Sequence, residues 1–144
     1  MSAFEDGELA TYQACARLTA AFAVYVDQHR YDDLISLFTE DCVFDRPGAL
    51  LNGRGELRAF MERRPGGTVT RHTCAPPVLD QVTAQSANGV TYLTFFEGEP
   101  SGEGPATLKQ IAIAEYHDQF KRTSEGWRIA RRRVVPTIRH VVPS

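Results

Sequence analysis

FMERRPGGTVTRHTC, residues Phe60–Cys74, is where the character of the chain changes. From Arg54 to Arg64 the apolar residues Leu57, Phe60 and Met61 recur at helical spacing, and Pro65-Gly66-Gly67 stops the helix. From Val69 to Cys74 the segment reads as a strand. Upstream, Glu8–Asp27 (ELATYQACARLTAAFAVYVD) has no Gly or Pro and carries Tyr12, Cys15, Leu18, Thr19, Phe22, Tyr25 and Val26 on one side of a 3.6-residue wheel, the pattern of a long amphipathic helix. A second helix is predicted over Tyr31–Phe38, broken by Thr39-Glu40-Asp41, and a strand over Cys42–Asp45, ended by Pro47-Gly48. Asn52-Gly53 reads as a turn. Downstream, strands are expected at Val78–Ala84, Val90–Glu97, Leu108–Thr123 and Trp127–Pro136, separated by Asn88-Gly89, Gly98–Pro105 and Ser124-Glu125-Gly126. Helices first and antiparallel strands afterwards predict an α+β fold, with helices on one face of a curved sheet. With no linker or repeat, one domain is expected over residues 1–144, its core at about 8–136.

The 144 residues are 42% hydrophobic and 24% charged, with a formal net charge of -2. That balance gives no reason to expect nucleic acid or an anionic membrane as partner. No apolar run approaches the ~20 residues of a membrane span. Met1–Glu8 is acidic and lacks the basic and apolar segments of a signal peptide, so a cytoplasmic location is expected. Cys15, Cys42 and Cys74, odd in number and widely spaced, fit reduced thiols.

Several polar residues stand out. Asp27 lies beside Ala16, Ala20 and Ala23 on the wheel, where small side chains leave room for a pocket; it could equally cap the turn that follows. His72 shares a strand face with Thr70 and Cys74, and its imidazole can exchange protons near neutrality if a carboxylate fixes its tautomer; a surface or core histidine is the plainer reading. Tyr116 and Asp118 share the roomier face of their strand with Ala112 and Ala114, opposite Ile111, Ile113 and His117, as pocket wall or as a cross-strand pair. Alternation separates Arg132 from Arg131 and Arg133, so Arg132 could bind an oxyanion or a departing anion, pair with Asp118, or belong to a solvated run. No CxxC, HExxH, GxSxG, GxGxxG or GxxxxGK[ST] occurs. A site without metal or cofactor is therefore expected.

Three local texts together resemble a known family: Asp27 with Tyr31-Asp32-Asp33-Leu34 and Leu37–Phe44; Thr70-Arg71-His72; and Tyr116–Arg122 running through Gly126-Trp127-Arg128-Ile129-Ala130 to Arg132. They resemble the SnoaL-like branch of the nuclear-transport-factor-two-like superfamily, which includes scytalone dehydratase and lindane dehydrochlorinase. The resemblance covers about Tyr12–Arg133. It implies a cone-shaped fold, three N-terminal helices and a curved antiparallel (mixed) sheet enclosing a pocket. It also implies Asp27 and His72 as a catalytic pair, with Arg132 matching a basic residue of the dehydrochlorinase. Val26, Ile113 and Phe22 stand where those enzymes carry a tyrosine, a second histidine and a lysine.

The expectation is a cofactor-independent lyase or isomerase, dehydratase-like, acting on a small apolar oxygenated cyclic compound of polyketide, steroid or aromatic type. His72 would move the proton, Asp27 orient the ring, and Arg132, Tyr116 and Asp118 bind the substrate. Two alternatives stand beside it: a non-catalytic ligand-binding or assembly domain, and a polyketide-cyclase-like aldol catalyst with Asp118 as base. Apolar residues in both parities of the long strands predict a homo-oligomer, a dimer or alternatively a trimer, formed through the outer sheet face unless the tail Val134–Ser144 folds back over it.

Overall fold

The computed structural model describes residues 6–144; the acidic N-terminal segment lies, up to Glu5, outside the described residues. Three helices, α1 (Asp6–Asp27), α2 (Tyr31–Ile35) and α3 (Gly53–Glu62), accompany seven strands: β1 (Phe38–Arg46), β2 (Ala49–Asn52), β3 (Val69–Cys74), β4 (Val78–Asp80), β5 (Ser86–Glu99), β6 (Thr107–Thr123) and β7 (Gly126–Val141). The strands form one mixed sheet in the order β2-β1-β7-β6-β5-β3, with β4 beside β5 on the same edge as β3. All pairs are antiparallel except β1 with β7, which is parallel. The α+β class expected from the sequence is the one observed, and the curved sheet stays open.

α1 lies on the inner face of the sheet. Its stripe Cys15, Leu18, Phe22 and Val26 is buried against Phe38, Phe44, Tyr116, Phe120 and Ile129. Phe22 sits at the centre, with the rings of Phe38, Phe44 and Tyr116 at 6.0, 6.1 and 5.8 Å. Aromatic contacts at such distances add to the area buried. Thr19 shares the buried stripe because its hydroxyl donates to the Cys15 carbonyl one turn back, at 3.0 Å. Cys15, Cys42 and Cys74 are free thiols.

Several boundaries differ from the sequence reading, each for a tertiary reason. α2 ends at Ile35 rather than Phe38: the Leu37 carbonyl accepts from the Ile129 amide, and Phe38 pairs with Ile129 as the first residue of β1. Thr39–Asp41 is therefore not a break but an irregular stretch of β1, where the register against β7 shifts. β2 was not expected. Gly53, at φ +82°, turns that strand directly into α3, and Glu56 accepts the Asn52 amide at the helix start. β4 stops at Asp80 because Gln81 takes φ +51°. Asn88-Gly89 is not a turn but lies inside β5. Gly89 is needed there because a Cβ would come within 2.9 Å of the Phe120 ring. The C-terminal segment continues β7 to Val141, paired with β6, rather than folding over the outer face.

Candidate active site

Asp27 is the last residue of α1, and His72 lies on the inner face of β3 together with Thr70 and Cys74, alternating with the exposed Arg71 and Thr73. α1 packs across β3 and brings the two side chains together. Asp27 Oδ1 is 2.6 Å from His72 Nδ1, its Oδ2 accepts the His72 backbone amide at 2.8 Å, and the Thr70 hydroxyl donates to Oδ1 at 2.8 Å. The pair is nearly enclosed, with 6% of the Asp27 side chain and 13% of the His72 side chain exposed. Burial pushes the Asp27 carboxyl up, but the hydrogen bonds from the His72 ring, the His72 amide and Thr70 outweigh it and hold the group below its ordinary value. A carboxylate can only accept, so Nδ1 donates to Asp27, and in the neutral imidazole that leaves the lone pair on Nε2. The Phe95 ring lies 5.0 Å from the imidazole, centroid to centroid.

The alanines expected to open space beside Asp27 do not form one open row. Ala20 is exposed, Ala16 half-buried and Ala23 buried. Ala20 and Asp27, seven residues apart, share a side of α1 but stand about 10 Å apart along its axis, so the exposed Ala20 lies two turns away from the carboxylate.

Deeper on the inner face stands a second constellation. Arg132 of β7 is fully buried, and its Nε and Nη2 donate to the two oxygens of Asp118 on β6, at 2.8 Å each. The register places Asp118 directly opposite Arg132. The guanidinium carbon lies 3.9 Å from the Tyr116 ring centroid and 4.6 Å from that of Phe22. Burial works against the Arg132 charge, and the Asp118 carboxylate more than offsets it. Burial likewise drives the Tyr116 phenol well up, so its proton stays on. Arg132 Nη1 is buried without a hydrogen-bond partner among the described residues. Cys74 sits between the two groups: burial raises its thiol, Arg132 opposes that shift, and Asp118 and Asp27 add to it.

The five residues singled out in the sequence thus all face the helix-covered side of the sheet, as one hydrogen-bonded pair and one ion pair under an aromatic ring. Thr70 and Cys74 complete the setting; strand alternation around His72 marks both. The other histidines lie elsewhere. His29, at φ 58° in the turn after α1, donates from Nε2 to the Thr68 carbonyl, and His117 pairs with Glu115 on the outer face. A cleft of about 500 Å³ on that outer face is bordered by His117, Gln119, Arg131 and Arg133, and a smaller one, beside the start of α1, by Thr11, Thr83 and Arg122; neither touches Asp27 or His72. Among the described residues no group of three or more His, Cys, Asp or Glu side chains is placed to hold a metal ion, and no helix is long and apolar enough to cross a membrane.

A family model described as a SnoaL-like domain matches residues 7–133. No curated protein matches. Among solved structures, a candidate scytalone dehydratase from Novosphingobium aromaticivorans superposes with a TM-score of 0.82 at 21% identity, over 96% of this chain and 92% of that one. A type 3 hexachlorocyclohexane dehydrochlorinase from Novosphingobium barchaimii gives 0.80 at 16% identity, over 94% and 92%. The beta subunit of a candidate aromatic-ring-hydroxylating dioxygenase from Novosphingobium aromaticivorans gives 0.76 at 17% identity, over 91% and 92%. At these identities the likeness is one of fold.

Proposed function

The chain belongs to the SnoaL-like family, and from that premise we propose that it is a cofactor-free lyase or isomerase acting on a small, uncharged, oxygenated cyclic compound. The observation that carries this reading is the Asp27–His72 pair, a carboxylate bound to Nδ1 at 2.6 Å with Nε2 left free. His72 Nε2 removes a proton from carbon, either beside a carbonyl or positioned for elimination. Asp27 holds the ring and stabilises the imidazolium, and Nε2 returns the proton to the product or to the leaving group. Arg132 Nη1, the buried donor without a partner, takes the substrate oxygen, with the Tyr116 and Phe22 rings beside it. Asp118 acts through Arg132. Both its oxygens are engaged, so the aldol reading, with Asp118 as base, lacks a free carboxylate there. An uncharged ligand suits this site, because Asp118 already balances the guanidinium charge.

The test is a panel of cyclic ketones and β-hydroxy ketones incubated in D₂O and followed by NMR. The wild type is expected to exchange or eliminate at the activated carbon of at least one compound. Asp27→Asn and His72→Gln should lower that rate by about 10²–10⁴-fold. Turnover unchanged in either variant would overturn the mechanism and favour the non-catalytic binding or assembly domain.

The outer sheet face supports a second element of the proposal, a homodimer. Tyr92 (64% exposed), Ile138 (62% exposed), Phe96 and Ile113 project from β5, β6 and β7 on the side without helices, and Thr94, Ile113 and Ile138 stand in one register row. A second copy is the commonest cover for such a patch. Light scattering at micromolar concentration should return twice the chain mass, and a monomer would reject the interface; a trimer would keep the burial and reject the symmetry. The chain is proposed to work as one domain in the cytoplasm, where its three thiols stay reduced.

A further inference from the structure

Arg64 follows α3 and precedes Pro65, away from both constellations in sequence, yet its guanidinium ends at the dyad. Nη1 donates to the Val26 carbonyl at 3.0 Å and to the Tyr31 hydroxyl at 3.1 Å, and Nη2 donates to Thr70 Oγ1 at 3.3 Å. None of these acceptors is charged. Val26 immediately precedes Asp27, and Thr70 is the neighbouring inward residue to His72 on β3. One half-buried cation therefore ties the last turn of α1, the first residue of α2 and the dyad's strand together.

The direction of these bonds follows from chemistry. A guanidinium has five N–H donors and no acceptor, so Thr70 Oγ1 must accept from Arg64. The single hydroxyl proton of Thr70 is then directed to Asp27 Oδ1, 2.8 Å away. The Val26 carbonyl, in the last turn of α1, accepts from the same side chain at 3.0 Å and from the His29 amide at 3.3 Å. We propose that Arg64 is a positioning residue for the dyad: by orienting the Thr70 hydroxyl and pinning the end of α1 to β3, it keeps Asp27 an acceptor-only carboxylate aimed at His72 Nδ1, and so fixes the Nε2-basic tautomer. This rests on the dyad reading given above. It adds that the order of donors runs one way, Arg64 to Thr70 to Asp27, with the His72 ring donating to the same oxygen from the other side.

The experiment needs no substrate. In the full-length protein with ¹⁵N-labelled histidine, the His72 ring signals are assigned by their loss in His72→Gln and followed above the titration of the imidazole. The wild type should show a protonated Nδ1 whose hydrogen exchanges slowly. Arg64→Gln should speed that exchange about tenfold, the factor corresponding to one lost hydrogen bond of about 1.4 kcal/mol, and admit the other tautomer. Arg64→Lys, which restores one charged donor, should recover part of the protection. Thr70→Val should match Arg64→Gln, Thr70→Ser should resemble the wild type, and adding Arg64→Gln to Thr70→Val should change little further. An Arg64→Gln protein that retains the wild-type exchange rate and tautomer overturns the role of Arg64 and leaves the dyad standing. If Arg64→Gln does not fold, a Thr70→Val protein with wild-type exchange overturns it equally. A wild-type His72 without a proton on Nδ1 overturns the dyad reading, and this proposal with it.

Discussion

Asp118 holds Arg132 by both of its oxygens at 2.8 Å, in a place where neither side chain is reached by solvent. A pair so enclosed costs much to break and little to replace, because the penalty comes from leaving one charge behind. Asp118→Ala is expected to destabilise the fold by about 3–5 kcal/mol. The double variant Asp118→Leu/Arg132→Met should recover most of that loss. Urea denaturation of the three proteins checks it; equal losses in the single and double variants would contradict the argument.

The dyad should separate activity from stability. Asp27→Asn keeps the size of the side chain but lets its amide end present a donor to Nδ1, which favours the wrong tautomer. Turnover of a compound from the ketone panel is expected to fall at least as far as in His72→Gln, with the denaturation midpoint changing much less than in Asp118→Ala. Circular dichroism melts beside the NMR rates give both readouts.

Asp27 also gives the protein an acid-side dependence of known sign. Its carboxyl is held below the ordinary value of about 3.9 in the folded state, so its contribution to stability is fully present above that value. The contribution is lost as the pH falls through the lower, folded-state value. Denaturant midpoints measured from pH 7 to pH 2 should drop more steeply for the wild type than for Asp27→Asn below about pH 4. Parallel curves would exclude the linkage.

Gly89 should resist substitution although its sequence context looks like a turn. A Cβ at this position would meet Phe120 Cε2 at 2.9 Å and Leu79 Cδ2 at 3.2 Å. Gly89→Ala is expected to cost about 1–3 kcal/mol, whereas Gly66→Ala, with open space around it, should change little. Thermal melts of the two variants make the comparison.

Much of this was legible in the chain. α1, α3, β3 and β6 follow from apolar spacing and from Pro65-Gly66-Gly67, because local periodicity and local breakers agree there with the final packing. The inward facing of Tyr116, Asp118 and Arg132 follows from alternation, and the structure settles their relation as an ion pair under an aromatic ring. The meeting of Asp27 with His72 came from family resemblance, since no local rule joins a helix end to a strand 45 residues later. The early start of β1 was illegible because Ile129, far along the chain, creates it; β2, four residues at the sheet edge paired only with the neighbouring β1, is too short to carry a pattern of its own. Arg64 gave no signal at all: beside Arg63 and ahead of a Pro-Gly break, it reads as the polar end of a helix.

The parallel pairing of β1 with β7 carries a consequence for how the molecule is made. β1 is complete near the start of synthesis, but Phe38 waits for Ile129, and Phe44 for Arg132, in the last strand of the sheet. Until then the β1–β2 ribbon presents an open edge bearing Cys42 and Phe44, which is a template for pairing with another chain. Closing so long a loop is entropically slow. The step that seals that edge also delivers Arg132 over Tyr116, so a nascent chain arrested within β6 would have the dyad's residues but neither a finished sheet nor the cation beneath its helix.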